Sequence, residues 1–436
     1  MGRPIHHWSR LDGPARAALL ARPRAAERAE LGREVEAIIA EVRAGGDTAL
    51  RDLTRRFDGI EVKALPVGEA EFATAEAALA PRALAALDRA IANVRRFHAA
   101  QLRPPLDVEV SPGVRCQRLD VPLAAVGLYV PAGSAPLPST AIMLAVPAAL
   151  AGCPVRILCT PPRDDGAADP AVLVAARRCG IARVFKVGGA QAIAAMAYGT
   201  ESIPKVDKIF GPGNAWVAAA KLRIALDPDG AALDLPAGPS EVLVIADEGA
   251  PPEFVAADLL AQAEHDPSAQ VLLVTPSAAL AAAVSLELDR QEPALGRRAI
   301  TARALANARL IVVADLDAAV TVSNAYAPEH LILAVRAPRQ LLKQVTAAGS
   351  VFLGDWSPEA MGDYCSGTNH VLPTDGHARA WSGLSVESFL KRITVQELTP
   401  AGLRDLGPTA IELAGLEGLD AHARAVRVRL ERLPRP

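Results

Sequence analysis

Between Arg24 and about Leu102 apolar residues recur at helical spacing, first in LGREVEAIIAEVRAGG and again in ALAALDRAIANVRRFHAAQL. That period predicts an all-helical entry segment. From about Val121 the pattern changes to short aliphatic runs, AAVGLYV, VRILCT, RVFKVG and DKIF, each closed by a glycine or proline turn and most followed by an alanine-rich helix. Such alternation predicts right-handed crossovers, a parallel sheet covered by helices on both faces, and ligands at the strand carboxyl ends. It resumes in SEVLVIAD, AQVLLVTP, RLIVVAD and SVFLGDW, with helices expected at EFVAADLLAQAEH and RQLLKQVTAAG, so a second α/β unit follows the first. After about His377 the strands are expected to stop. The last stretch, LEGLDAHARAVRVRLERL, reads as an amphipathic helix with Leu, Ala and Val on one face, of the kind that docks on its own chain or on a partner.

Composition narrows the function classes. The 436 residues are 51% hydrophobic, 22% charged and 4% aromatic, a globular balance whose cores must be aliphatic. Forty-six Lys and Arg against 49 Asp and Glu leave a net charge of -3, which offers no broad attraction to nucleic acid or to an anionic membrane. Charges, prolines or turns interrupt every stretch long enough to span a bilayer, and the Arg-rich start lacks the apolar centre and small-residue cleavage site of a secretory signal. Cys116, Cys153, Cys159, Cys179 and Cys365 are scattered and form no CxxC pair, which fits a reducing cytoplasm and structural thiols.

The chemistry-bearing motifs are individually ambiguous. No GxGxxG marks a dinucleotide turn; in its place stand PAGSAPLPST, VGGAQAIA around Gly188 and Gly189, and FGPGNAW around Gly211 and Gly213. All three suit an anion, and all three suit the tight turns that any doubly wound sheet requires. In LLAQAEHDP, Gln262 and His265 lie three apart near a predicted helix end, on one face and at metal-ligand spacing. GDYCSGTNH puts Asp363 and His370 in a glycine-rich turn after a strand, adding oxygen and nitrogen donors of the borderline kind zinc accepts. In NAYAPEHLIL, Pro328 is expected to open a helix with Glu329 and His330 at its start, where an acid and an imidazole divide proton transfers or simply satisfy the helix dipole.

Taken together and in order, LDLPAGPSEVLVIAD, DLLAQAEH, NAYAPEHLIL and GSVFLGDWSPEAMGDYCSGTNHVLPT resemble the L-histidinol dehydrogenase family, and the resemblance runs over essentially the whole chain. It implies oxidation of L-histidinol to L-histidine through L-histidinaldehyde, with two NAD reduced and one zinc ion per subunit holding the substrate. It implies Gln262, His265 and Asp363 as zinc ligands from one subunit and His422 as the fourth, donated by the other subunit of an intertwined homodimer. Glu329 would activate water, His330 would carry the proton transfers, and Ser240, His370 and Glu417 would join these residues around the substrate. Tyr129, Gln191 and Asn214 match positions that touch NAD.

The implied architecture is two incomplete Rossmann-like units with a helical N-terminal segment and a helical C-terminal tail. Its expected divisions are a leading segment 1–23, a zinc and substrate domain from 24–128 plus 239–382, an NAD domain 129–238 and a tail 383–436. Asp266 after QAEH, Met361 before GDY and Leu233 opening LDLPAGPSE depart from the usual pattern without removing a ligand or base. The nearest rival is a zinc- and NAD-dependent relative that oxidises a different small alcohol.

Overall fold

Strand Glu241–Ala246, sequence EVLVIA, is buried at all six positions. Its side chains alternate between two cores: Val242, Val244 and Ala246 join one, Leu243 and Ile245 the other. A strand buried on both faces belongs at the centre of a parallel sheet clad by helices. The computed structural model, which describes residues 3–22, 28–132, 135–236 and 238–434, places it there. The six-stranded sheet runs Ile5–His7, Arg309–Val312, Gln270–Thr275, Glu241–Ala246, His330–Ala334, Ser350–Leu353, with every pairing parallel.

A five-stranded parallel sheet runs Arg183–Lys186, Val155–Thr160, Ala125–Tyr129, Lys208–Phe210, Ala232–Leu233. Numbered along the chain its order is 3-2-1-4-5, and the larger sheet repeats that order with Ile5–His7 added at one edge. Both are thus doubly wound, as the alternation of runs and turns predicts. The first of the three glycine turns includes Gly133 and Ser134, which lie outside the described residues.

The entry helices form, but the longest packs elsewhere than its expected domain. Helix Arg28–Asp58, broken at Gly46, sends Val35, Ile38, Ile39, Val42, Leu50 and Leu53 into the core beneath the five-stranded sheet, with Ile193, Ile209 and Val217. The apolar stripe of a helix goes where the matching apolar face is, and that face belongs to the unit expected to hold the cofactor. Of RQLLKQVTAAG only the start is α-helical, within Pro338–Leu341.

A second compact unit comprises residues 102–122 and 390–436. It contains strands where the sequence reading expects none. Leu390–Leu398 pairs antiparallel with Val114–Pro122, which pairs in turn with Leu106–Ser111. These strands are mostly exposed and interleaved with charge, so they carry no aliphatic run to announce them. Helices Pro400–Leu416 and Asp420–Leu430 follow, with Gly407 close to Val426 and Leu430. Among the described residues no helix is long and apolar enough to cross a membrane, and the five cysteines are free thiols.

In the first unit, helix Pro81–Ala99 secures the loop at 365–370. Asn93 Nδ2 donates to the Cys365 carbonyl at 2.8 Å, and Asn369 Nδ2 donates to Met143 O at 2.8 Å while lying 3.3 Å from His98 Nε2. The His98 ring is fully buried with Nδ1 2.9 Å from Val94 O, and burial lowers its pKa despite that hydrogen bond. Unfolding lets this ring take a proton that the fold disfavours, so its contribution is complete above the ordinary value of 6.5 and is lost as pH falls below it. Replacing His98 with Asn is expected to cost about 1–3 kcal/mol at neutral pH. Denaturant titrations should show that gap narrowing between about pH 7.5 and about pH 5.5; a constant gap would mean that folding leaves the ring's titration where it stands in the unfolded chain.

Candidate active site

The adjacent acid and imidazole begin a strand, not a helix. Helix Leu316–Tyr326 ends at Ala327 in the left-handed region (φ 55, ψ 68), Pro328 continues the turn, and His330 opens the strand His330–Ala334. Pro328 therefore follows a helix end, and the aliphatic HLILA run takes the central place in the sheet that its burial on both faces demands. Gly349 secures this turn from beneath: its amide donates to Pro328 O at 3.0 Å, and Ser350 N donates to Glu329 O at 2.9 Å. A Cβ on Gly349 would lie 2.6 Å from Glu329 O, so a side chain there is excluded.

Glu329 is buried and accepts from Glu241 N at 2.8 Å through Oε2. His330 Nδ1 lies 3.2 Å from Glu241 O, 3.6 Å from Glu329 Oε2 and 3.8 Å from Glu359 Oε1, and Nε2 lies 3.6 Å from Asp363 Oδ1. Burial pushes the Glu329 carboxyl up to about 8. For His330 burial opposes the charge, but Glu359, Glu329 and Asp363 outweigh it and hold the ring well above its ordinary value. An imidazole ringed by carboxylates is a strong proton acceptor.

Gln262 lies in the last turn of helix Pro252–Ala263, and His265 follows beyond the helix end. With the Gln262 amide nitrogen turned toward its acceptors, it lies 2.5 and 3.1 Å from the Glu359 oxygens and 3.2 Å from His330 Nδ1. Asp363 stands on the short helix Glu359–Tyr364 rather than in a glycine-rich turn. His265, Glu359 and Asp363 each present a ligand atom, all within 4.8 Å of one another. Among the described residues the buried Nε2 atoms of His330 and His370 have no hydrogen-bond partner, and His370 is within electrostatic reach of Asp363 and His330. A mixed oxygen and nitrogen set with unpartnered nitrogens beside it fits a borderline divalent cation such as zinc.

Glu359 is the member of this cluster that the sequence reading missed. It sits one helical turn before Asp363, and this PEAMGD spacing is the signal that points to it. Burial, supported by the charges of Asp363 and Glu329, pushes its carboxyl well above the ordinary range against the pull of His330. Asp266 accepts from Ser268 N at 2.7 Å and so caps a local turn, while Met361 is largely exposed.

The location within the sheet departs from the usual rule. Glu241 and His330 are the first residues of neighbouring strands, with Ser240 just before, so the cluster occupies the amino ends of the six-stranded sheet. At the carboxyl ends of the same two strands, Asp247 accepts from Gly249 N at 3.0 Å and Arg336 N at 2.7 Å, bridging the crevice. In the five-stranded sheet the residues expected to touch NAD stand at the carboxyl ends of the strands. Tyr129 closes strand Ala125–Tyr129, Gln191 lies on the helix after Arg183–Lys186, and Asn214 follows Lys208–Phe210. Tyr129 OH accepts from Gly189 N at 3.0 Å, and Asn214 caps its helix by accepting from Val217 N at 3.1 Å. Gly211 (φ 126) between them is required, since a Cβ there would strike the Tyr129 carbonyl. Glu417 and His422 lie on the helical part of the second unit, both exposed.

The family model described as histidinol dehydrogenase matches residues 21–430. A histidinol dehydrogenase of Xanthomonas euvesicatoria is 58% identical over 98% of this chain and 99% of its own length. Another, from Yersinia pestis, is 52% identical over 98% of this chain and 96% of its own. The crystal structure of histidinol dehydrogenase from Elizabethkingia anophelis superposes with a TM-score of 0.94 at 44% identity, covering 99% of this chain and 98% of that one.

Replacing Gly349 with Ala forces the turn at Glu329 to move, because the opposing atom is backbone. The expected cost is about 1–3 kcal/mol of stability together with at least a roughly tenfold fall in turnover. Thermal melts and steady-state rates check both, and a folded variant with full turnover would show that Glu329 does not depend on this contact.

Proposed function

This chain belongs to the histidinol dehydrogenase family, an enzyme of histidine biosynthesis that acts on histidinol, and from that premise we propose a zinc-dependent, four-electron oxidation of L-histidinol through L-histidinaldehyde to L-histidine. The observation that carries the reading is the buried Glu329–His330 pair beside the Gln262, His265, Glu359 and Asp363 donors. When bound, zinc would supply a fixed positive charge that holds the substrate's imidazole and amino nitrogens, and NAD the hydride acceptor.

Within that frame each side chain has a role. Gln262, His265 and Asp363 hold the metal, and Glu359 orients Gln262 through its amide nitrogen. His330 takes the proton from the substrate carbinol as the hydride leaves the same carbon. In the second oxidation Glu329, anchored through Oε2 on Glu241 N, removes a proton from water with its other oxygen as the water adds to the aldehyde carbon. His330, having released its first proton to solvent, then accepts the proton of the hydrated aldehyde as the second hydride leaves. Ser240 and His370 line the substrate. NAD binds across Tyr129, Gln191 and Asn214, and the support is topological. Strands Ala125–Tyr129 and Lys208–Phe210 form the switch point of the 3-2-1-4-5 sheet, where such ligands sit.

The partner subunit of a homodimer would supply the fourth ligand through its own copy of His422 and a substrate contact through Glu417. The second unit supports this, because Ile393, Leu398, Leu406, Leu413, Leu416 and Leu419 are all exposed on so small a structure. The enzyme would work in the cytoplasm, where its thiols stay reduced.

Zinc-loaded protein is expected to form two NADH for each L-histidinol consumed, with free L-histidine as product. One NADH per turn, or turnover restricted to another alcohol, would favour the relative acting on a different substrate. Mixing His422→Ala chains with Gln262→Ala chains should recover part of the activity that each lacks alone, through hybrid dimers holding one intact site. No recovery would place His422 in its own subunit's site.

A further inference from the structure

Glu241 touches the candidate catalytic pair with its backbone and an arginine with its side chain. Its amide donates to Glu329 Oε2, and its carbonyl lies 3.2 Å from His330 Nδ1. On the other side its carboxylate, almost fully buried, accepts from Arg22 Nε and, at 2.8 Å, from Arg22 Nη2. Arg22 Nη2 also donates to Tyr326 O at 2.9 Å and reaches Ala327 O at 3.4 Å, the carbonyls that lead into Pro328 and Glu329. The guanidinium lies 3.9 Å over the Tyr326 ring, and Tyr326 OH donates to Gln270 Oε1 at 2.8 Å. Asp375 N donates to the remaining side of Glu241 at Oε1, 2.9 Å.

Two further facts show what this arrangement holds in place. Ala327 (φ 55) and Asp375 (φ 56) are the non-glycine residues with positive φ among those described, and both contact the ion pair directly. Left-handed backbone at residues with a Cβ persists where the surroundings impose it. Stability alone does not call for an ion pair here, because apolar residues of similar volume commonly replace a buried pair without loss. A planar, five-donor fork that grips a carboxylate and two carbonyls at once supplies orientation.

We propose that Arg22 is a positioning residue for the Glu329–His330 pair, acting through Glu241 and the carbonyls of Tyr326 and Ala327. It touches neither substrate nor cofactor, and it fixes where the acid and the imidazole stand. The proposal rests on the reading of Glu329 and His330 as the proton-transfer groups.

The test uses zinc-loaded, full-length protein with L-histidinol and NAD, comparing Arg22→Met, Arg22→Lys, Glu329→Gln and the Arg22→Met, Glu329→Gln double variant. Arg22→Met is expected to lower kcat about ten- to hundredfold with KM within about threefold. Arg22→Lys, which keeps the charge but loses the fork, should recover part of kcat, and the Arg22→Met loss should shrink when Glu329 is already Gln. Unchanged kcat in a folded Arg22→Met protein, a loss confined to KM, or full additivity with Glu329→Gln would overturn the proposal. If Arg22→Met does not fold, Arg22→Lys decides: a several-fold loss of kcat at constant KM supports positioning, and wild-type kcat overturns it. Full turnover by Glu329→Gln itself would instead remove the reading on which the proposal stands, whatever Arg22 does.

Discussion

A carboxylate kept out of water needs a hydrogen-bond donor, and for Glu329 that donor is the amide of Glu241, the first residue of the neighbouring strand. The rest of the site is arranged around this contact. It fixes the register between two central strands at the ends where they begin, brings the Glu241 carbonyl to His330 Nδ1, and leaves His330 Nε2 toward Asp363. Gly349 presses on the same turn from the next strand, and Arg22 grips Glu241 from behind. Glu329, Glu359 and Asp363 meet His330 and His370 in little space, and burial together with their mutual charges moves each titration away from its ordinary value.

Much of the framework is legible from the chain. Runs such as EVLVIA and QVLLVT are buried on both faces, and a continuous aliphatic run is what a central parallel strand requires. HLILA is the same kind of run, yet a preceding Pro and Glu make it read as a helix start. What settled the matter is tertiary: the run fills a gap between Glu241–Ala246 and Ser350–Leu353. Strand Leu390–Leu398 escapes notice because LKRITVQEL is interleaved with charge and its partner, Val114–Pro122, lies far back in the sequence.

The candidate site shows the same division. Gln262, His265, Glu329, His330 and Asp363 stand out by spacing and by family resemblance, and the fold brings them together around Glu359. Glu359 and Arg22 do not stand out, because an acid in a loop and an arginine near the start of a chain are ordinary until the fold buries them. Nor does the alternation of runs and turns reveal which end of a sheet is used. That depends on the short helix Glu359–Tyr364 and on the end of helix Pro252–Ala263 reaching the amino ends of the strands.

Both sheets are wound in the same order, yet their switch points differ. In the larger sheet the crevice at the carboxyl ends is bridged by Asp247 and Arg336, and in the smaller one it is framed by Tyr129 and the Gly211 turn. On the chemistry proposed here, each chain then accommodates a single dinucleotide at a time. Two successive oxidations require the spent carrier to depart and a fresh one to arrive between them, so the half-oxidised substrate has to remain held for longer than that exchange takes.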